Sequence, residues 1–115
     1  MSDAEMQDEA AGCAALPVEE MAERASEAAA FLKALSHEGR LMILCHLSAG
    51  EKTVTELEAR LGARQAAVSQ QLARLRAEGL VAARRDGKTI HYSILDAKAG
   101  AIMALVYDLF CARPA

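Results

Sequence analysis

One change of hydrophobic periodicity constrains the fold of this chain more than any other feature of its sequence. Up to Gly79, apolar residues recur three or four positions apart, which is the spacing of helices that bury one face. Between residues 81 and 95 they alternate instead, as in strands with one buried face. Asp86-Gly87 interrupts this alternation and is a strong signal for a hairpin turn with positive φ at both positions. The sequence therefore predicts a β-hairpin after a series of helices.

Capping residues and glycines predict where the helices begin and end. Ser36 is a candidate N-cap for a second helix that stops at Gly50, and Thr53 with Glu56 fits a capping box for a third. Gly62 and Gly79 are natural left-handed stops. The predicted helices are Val18–Leu35, 37–49, Val54–Leu61, 65–78 and an apolar helix capped by Asp96, and the predicted strands are 81–85 and 89–95.

This order of elements predicts the fold class. The third and fourth helices, joined by a tight turn, form a helix-turn-helix, and the hairpin that follows them is a wing. The prediction is a mainly α, winged helix-turn-helix fold in the order α-α-α-α-β-β-α, with a two-stranded β wing. Residues 1–17 are acidic and rich in Ala and are predicted to form a mobile tail before one domain over residues 18–115.

Charge is distributed unevenly along the chain. The net charge is −3, which is unusual for a protein that binds DNA. However, residues 1–20 contain acidic side chains and no Lys or Arg, whereas the basic side chains are concentrated between residues 64 and 88. Clustered basic residues on a predicted helix-turn-helix and wing indicate a surface for nucleic acid.

The second helix of a helix-turn-helix enters the major groove, and a charged wing tip contacts phosphates or the minor groove. A polar helix taken alone is more often a solvated face. The helix-turn-helix, the hairpin and the clustered Arg residues together favour DNA binding over that alternative and over a domain used only for protein contacts. The predicted DNA-binding residues are Gln65, Ser69, Gln70 and Arg74 on the helix, with Arg64 beside them, and Arg84, Arg85 and Lys88 on the wing.

Three segments in the right order resemble the ArsR family of repressors. They are LKALSHEGRLMIL at residues 32–44, VSQQLARLRAEGLV at residues 68–81 and RDGKTIHYSI at residues 85–94. The resemblance covers about residues 30 to 95. It implies a homodimer formed largely by the first and last helices, and a repressor that leaves double-stranded operator DNA when an inducer binds or reacts.

The three cysteines are Cys13, Cys45 and Cys111, an odd number that disfavours a disulfide scaffold. Family members that sense metals use a Cys-x-Cys pair in the segment that here holds Cys45 alone, or Asp and His pairs on the last helix, which here offers Asp108 and no His. The pair Cys45 and Cys111 instead resembles the sulfide-responsive subgroup of the family. That resemblance implies that the two thiols react with persulfides or polysulfides and become linked by a chain of sulfur atoms.

Alternatives stay open at this point. Cys45 lies among leucines and is equally well a buried, inert residue, and Cys13 is more simply incidental. All three thiols together could bind As(III) or a similar thiophilic ion. A thiol enzyme such as a sulfur carrier is disfavoured, because the sequence has no Cys-x-x-Cys, no Gly-rich phosphate loop and no nucleophile with an evident base. We expect no enzyme activity, no cofactor and no bound metal.

Location and oligomeric state follow from apolar patterning. No apolar run approaches the roughly 20 residues of a membrane helix, and the acidic N-terminus lacks the layout of a signal peptide, so we expect a cytoplasmic protein without membrane contacts. The last helix carries an apolar stripe of Ile102, Met103, Val106, Leu109 and Phe110, which needs a partner and favours a homodimer.

Overall fold

The computed structural model describes residues 12–62 and 65–112, with the side chains of Cys13 and Gln65 left out. After a 3-10 turn at Gly12–Ala15, this part of the chain forms five α-helices and three strands. The helices are α1 (Val18–Leu35), α2 (Glu38–Ser48), α3 (Val54–Leu61), α4 (Gln65–Ala77) and α5 (Ala97–Val106), and the strands are β1 (Lys52–Thr53), β2 (Val81–Asp86) and β3 (Thr89–Ile94). The mainly α, winged helix-turn-helix prediction is confirmed.

The chain divides into two compact units. Residues 1–34 form the first unit, whose described part is the 3-10 turn and nearly all of α1, and residues 35–115 form the second. Helix α1 has the predicted bounds and starts directly after Pro17, whose carbonyl accepts from the Met21 amide at 2.8 Å. Glu19 and Glu20 lie in its first turn and Lys33 in its last, which complements the helix dipole. The predicted mobile tail falls mostly on residues 1–11, outside the described part.

The core of the second unit is built from aliphatic side chains. Helix α2 packs against α4, α5 and β3, and α4 packs against α3 and β2. The predicted inner face of α4, made of Val68, Leu72 and Leu75, is buried. Burial of each such side chain contributes about 1.5–3 kcal/mol to folding relative to an exposed position. The other buried apolar residues are Leu35, Ile43, Leu44, Leu47, Leu57, Leu80, Val81, Ala99 and Met103.

Two helix starts show how local hydrogen bonding sets an element's bounds. The capping box of α3 is present: Thr53 Oγ1 accepts from the Glu56 amide at 3.1 Å, and Glu56 Oε1 accepts from the Thr53 amide at 3.0 Å. The prediction that Ser36 caps α2 is wrong by one residue. His37 is the N-cap, and its Nδ1 accepts from the amides of Gly39 at 3.1 Å and Arg40 at 3.4 Å.

The end of α4 turns the chain into the wing. Gly79 adopts a left-handed φ of 75° and its amide donates to Arg76 O at 3.0 Å, while the Leu80 amide donates to Leu75 O at 2.9 Å. This pair of bonds is a Schellman motif, which satisfies the last carbonyls of the helix. Leu80 is thereby buried next to the start of β2.

The wing has one more strand than predicted. Residues Lys52–Thr53, between α2 and α3, pair antiparallel with β3, so the sheet has the order β1-β3-β2. The turn is also displaced by one residue from the predicted Asp86-Gly87. Asp86 is the last residue of β2, and the turn is Gly87-Lys88. Gly87 has φ 65°, and Lys88 does not have a positive φ, which fits a turn with Gly at the first central position.

The last helix begins as predicted and changes its pitch at the end. Asp96 Oδ1 accepts from the amides of Lys98 at 2.6 Å and Ala99 at 3.3 Å. After Val106 the helix continues as a π-helical turn at Tyr107–Cys111. Within residues 12–62 and 65–112, no helix combines the length and apolar character needed to cross a membrane.

Candidate DNA-binding surface and exposed thiols

Helices α3 and α4 form the helix-turn-helix that the sequence predicts. They pack against each other, and the buried Leu57 and Val68 hold their facing sides in the core. On the opposite side of α4 the predicted Ser69, Gln70 and Arg74 are all exposed. Arg64 and the side chain of Gln65 lie outside the described part of the chain. Exposed hydroxyl, amide and guanidinium groups on one helix face are suited to hydrogen bonding with base edges or phosphates.

A cleft of about 340 Å³ lies between the wing and α4, the second helix of the helix-turn-helix, which we call the recognition helix. Ser69 of α4 and Lys88 of the wing turn both line it, so these two predicted site residues share one surface. Thr55, in the first turn of α3, is one of several further hydroxyl-bearing residues that line it. A cleft with an ammonium group and hydroxyls has the chemistry that binds a DNA phosphate. The remaining lining residues are Thr53, Val54, Thr89, Ile90 and Tyr92.

The basic side chains of the wing point to opposite faces of the sheet. Arg85 pairs with Ile90 in the antiparallel ladder, and Arg84 pairs with His91. Directly opposed residues share a face and successive residues alternate, so Arg85 shares the face of Ile90, which lines the cleft. Arg84 lies on the other face.

Arg84 is engaged by an acidic residue. Its Nη2 donates to Glu51 Oε1 at 2.8 Å and its Nε donates to Glu51 Oε2 at 3.2 Å, which is a bidentate pair. His91 Nδ1 lies 4.0 Å from the same Oε1. The hydrogen bond from Arg84 is the main cause that lowers the pKa of the Glu51 carboxyl, and the same bond raises the pKa of Arg84.

The two remaining predicted site residues are cysteines. Cys45 lies on α2 between the buried Leu44 and Leu47, yet its own side chain is exposed, so Cys45 is not buried within this chain as the alternative held; its reactivity stays a prediction. Cys111 is the last residue of the π-helical turn and is also exposed. Helix α2, which carries Cys45, packs against α5 within the second unit, and Cys111 lies in the π-helical turn that continues α5.

These features match a known family. The model of bacterial regulatory proteins of the arsR family matches residues 37–83, which span α2, α3, α4 and the start of β2. The biofilm growth-associated repressor of Agrobacterium fabrum is 45% identical over 97 residues, which cover 84% of this chain and 83% of that protein. The chain belongs to the ArsR family.

Solved structures agree with this assignment. The crystal structure of the transcriptional repressor BigR from Xylella fastidiosa matches with a TM-score of 0.76 and 45% identity, over 85% of this chain and all of that one. Reduced HlyU from Vibrio cholerae N16961 matches with a TM-score of 0.79 and 39% identity, over 83% of this chain and all of that one. The chain is a DNA-binding regulator of transcription with a winged helix-turn-helix, and it is not an enzyme.

For an ArsR-family protein, the distribution of metal-ligating residues is informative. Across the residues whose side chains are described, no group of three or more His, Cys, Asp and Glu residues is placed to hold a metal ion. The alternative of an ion bound by all three cysteines includes Cys13, whose side chain lies outside that part of the chain. The three-thiolate hypothesis therefore remains untested.

Glu51 and Thr55 are among the residues of this surface that were absent from the predicted set. Glu51 accepts hydrogen bonds from Arg84 although 33 positions separate them, and no local sequence pattern predicts such a pair. Thr55 was missed for a different reason. A hydroxyl in the first turn of the first helix of a helix-turn-helix was a usable signal, because that helix crosses the DNA backbone.

Proposed function

We propose that this ArsR-family protein is a sulfide- and persulfide-responsive repressor. It binds operator DNA as a homodimer and is released when a polysulfide bridge links Cys45 to Cys111. The observation that carries the proposal is that both thiols are exposed, Cys45 on α2 and Cys111 in the π-helical turn that continues α5, a helix that packs against α2. The similarity to a biofilm growth-associated repressor and to BigR supports repression. The relative HlyU is named a transcriptional activator, and one of its structures is of the reduced protein. This supports a redox-dependent state in the present protein as well.

The DNA-binding part of the proposal rests on exposed polar and basic groups. Ser69, Gln70 and Arg74 are exposed on the outer face of α4, as sequence readout requires. Lys88 and Arg85 are exposed on the wing, where contacts to phosphates supply affinity without sequence information. The proposed base-reading residues are Gln65, Ser69, Gln70 and Arg74, and the proposed phosphate contacts are Arg84, Arg85 and Lys88.

Exchange with a polysulfide accounts for the proposed bridge without a further oxidant. In an organic tetrasulfide, the Cys45 thiolate attacks the second sulfur and expels one thiolate. The Cys111 thiolate then attacks the third sulfur and expels the other. The product has the two inner sulfur atoms of the tetrasulfide between the cysteine sulfurs, and its two outer sulfurs leave as thiolates, so the cysteine thiolates are oxidised and the outer sulfurs are reduced. Because a plain disulfide needs Cα atoms within about 7 Å, a longer sulfur chain spans a wider range of separations.

The bridge would act on DNA affinity by restraining α5 against α2, which packs on the recognition helix α4. Allosteric couplings are typically about 1–3 kcal/mol, so we expect operator affinity to fall by roughly 5- to 150-fold. The proposed bridge thereby connects the chemistry at the thiols to release of the operator.

A gel-shift series with a persulfide donor, peroxide, Zn²⁺ and As(III) tests this proposal. We expect the persulfide donor to release DNA and the two metal ions to act weakly or not at all. Mass spectrometry of the treated protein should show Cys45 and Cys111 joined with at least two additional sulfur atoms.

Cysteine variants supply the controls. Cys45→Ser and Cys111→Ser should bind DNA and fail to respond, whereas Cys13→Ser should respond like the wild type. Release by a metal ion alone, lost in Cys13→Ser, would replace the sulfur hypothesis with the three-thiolate metal site.

A further inference from the structure

An ion pair crosses the middle strand of the wing. Glu51 directly precedes β1, Arg84 lies in β2, and β3 runs between those two strands. The carboxylate of Glu51 nevertheless accepts both hydrogen bonds from Arg84, at 2.8 and 3.2 Å, and its Oε1 lies 4.0 Å from His91 of β3. The pair thus connects the segment after α2 to the far strand of the wing.

The backbone that carries Glu51 is itself held in place. Lys52 is buried, and its Nζ donates to Gly50 O at 3.1 Å and to Glu51 O at 3.4 Å. The Gly50 amide donates to Leu47 O at 3.1 Å, at the end of α2. The Glu51 carboxylate is therefore presented to the wing from an anchored segment of the second unit.

The base of the wing packs against the helices, where Val81 is buried, but residues 84–89 toward its tip are exposed. A two-stranded hairpin is marginally stable alone, and β1 contributes only two residues to the sheet. Exposed ion pairs usually contribute little, but a bidentate Arg–carboxylate pair is the geometry in which they do contribute. Arg84 also keeps 56% of its side chain exposed, and Glu51 uses two of the five N–H donors of a guanidinium.

We propose that Glu51 is a positioning residue for DNA binding, whose carboxylate braces the wing through Arg84 and does not touch the DNA. The inference rests on the DNA-binding part of the proposed function. According to this proposal Glu51 increases the affinity for DNA. Its negative charge alone would decrease that affinity. Removing a negative charge near a DNA-binding surface by itself tightens binding, whereas removing a brace weakens it.

A double-mutant cycle measures the brace. We would determine the DNA affinity of the reduced wild type, Glu51→Ala, Arg84→Ala and the double variant, on a duplex that the wild type selects from a random-sequence library. Glu51→Ala should weaken binding about two- to fivefold in the wild-type background. In the Arg84→Ala background the same change should leave affinity equal or slightly tighter, because the brace is already absent.

Two further measurements separate positioning from general effects. Glu38→Ala removes the same charge from an exposed position at the start of α2 and should not weaken binding. The slope of affinity against salt should be the same in Glu51→Ala and the wild type, because Glu51 makes no phosphate contact. The ¹⁵N order parameter of the Gly87 amide should fall in Glu51→Ala, and Glu51→Gln, a milder change, should show the same trend.

Several outcomes would overturn the inference. Tighter binding by Glu51→Ala in the wild-type background would make Glu51 a competitor of DNA for Arg84. Equal weakening in both backgrounds would show that Glu51 acts independently of Arg84. Either result leaves the proposed function standing, whereas a wild-type protein that selects no duplex contradicts DNA binding and the brace together.

Discussion

At the scale of single residues, neighbouring side chains of the wing have different environments. Arg84 and Arg85 are adjacent in sequence, but strand geometry sends Arg84 to Glu51 and Arg85 to the face that borders the cleft. Charge alone does not distinguish them, since both are exposed guanidinium groups. Their partners do, because Arg84 already shares hydrogen bonds with a carboxylate.

Arg85→Ala should weaken DNA binding across sequences and reduce the magnitude of the salt slope by about one, because one phosphate contact is lost. Titrations of the variant and the wild type at several salt concentrations measure both quantities. Lys98→Ala, which removes an exposed positive charge from the first turn of α5, is the matched control and should leave the slope unchanged. An Arg85→Ala protein with unaltered affinity and slope would show that the wing does not contact phosphates as proposed.

The lowered pKa of Glu51 determines how the contribution of the Glu51–Arg84 pair to folding depends on pH. Its carboxyl titrates below the ordinary glutamate value of about 4.3 because the charged form accepts two hydrogen bonds from Arg84. The contribution of the pair to folding is therefore fully present above that ordinary value. It is lost as the pH falls through the lower pKa of the folded state. Near neutral pH the brace is complete.

At the scale of elements, glycine decides the geometry of the wing turn. Gly87 has φ 65°, in the left-handed region that favours glycine, whereas Asp86 sits in regular β2 opposite Thr89. The predicted turn and the observed turn differ by one residue, and they predict different sensitivities to substitution.

Gly87→Ala should destabilise the protein by about 1–2 kcal/mol, because an L side chain strains a backbone with positive φ. Asp86→Ala should change stability by less than about 0.5 kcal/mol, as exposed substitutions in regular structure usually do. Urea unfolding of both variants and the wild type provides the comparison. Equal destabilisation by the two changes would favour the turn that was predicted from sequence over the turn in the structure.

The end of the last helix is a second place where the structure differs from the prediction made from the sequence pattern. The predicted apolar stripe included Met103 together with Phe110. Met103 is only 2% exposed and belongs to the core of its own chain, whereas Leu109 and Phe110, in the π-helical turn, are 67% and 81% exposed. The apolar surface is therefore displaced toward the C-terminal end, next to Cys111.

At the scale of the whole molecule, this exposed apolar end is the surface for which we expect a second copy of the chain. A dimer with two recognition helices would contact two half-sites about one helical turn or more apart, which doubles the surface that reads DNA. The transcriptional repressor BigR from Xylella fastidiosa has the same fold.

Phe110→Asp should shift the protein from dimer to monomer at micromolar concentration and reduce operator affinity sharply, because it places a charge on the apolar end of the last helix. Sedimentation velocity gives the oligomeric state of the variant and the wild type. Leu95→Asp is the matched control: Leu95 is 63% exposed just after β3, outside this helix end, and its replacement should leave the dimer intact. A monomeric wild type, or a dimeric Phe110→Asp, would exclude this surface.

The sequence by itself determined the order of the five helices and of the two hairpin strands, most helix ends and the inner face of α4. These features depend on short-range chemistry: the Thr53–Glu56 capping box, the left-handed Gly62 and Gly79, and apolar residues at helical spacing all act within a few positions. Where two neighbours competed for one role, as with Ser36 and His37 at the start of α2, sequence reasoning chose the wrong one. Both residue types offer an acceptor there, and backbone geometry selects between them.

Only the tertiary structure decided which distant groups meet. The pairing of β1 with β3, the Glu51–Arg84 brace and the exposure of Cys45 depend on how separate elements pack. The same is true of Ser69 and Lys88, which become neighbours in one cleft only when α4 and the wing come together. Such contacts form between residues with no relation in spacing or composition, and a linear pattern therefore contains no signal for them.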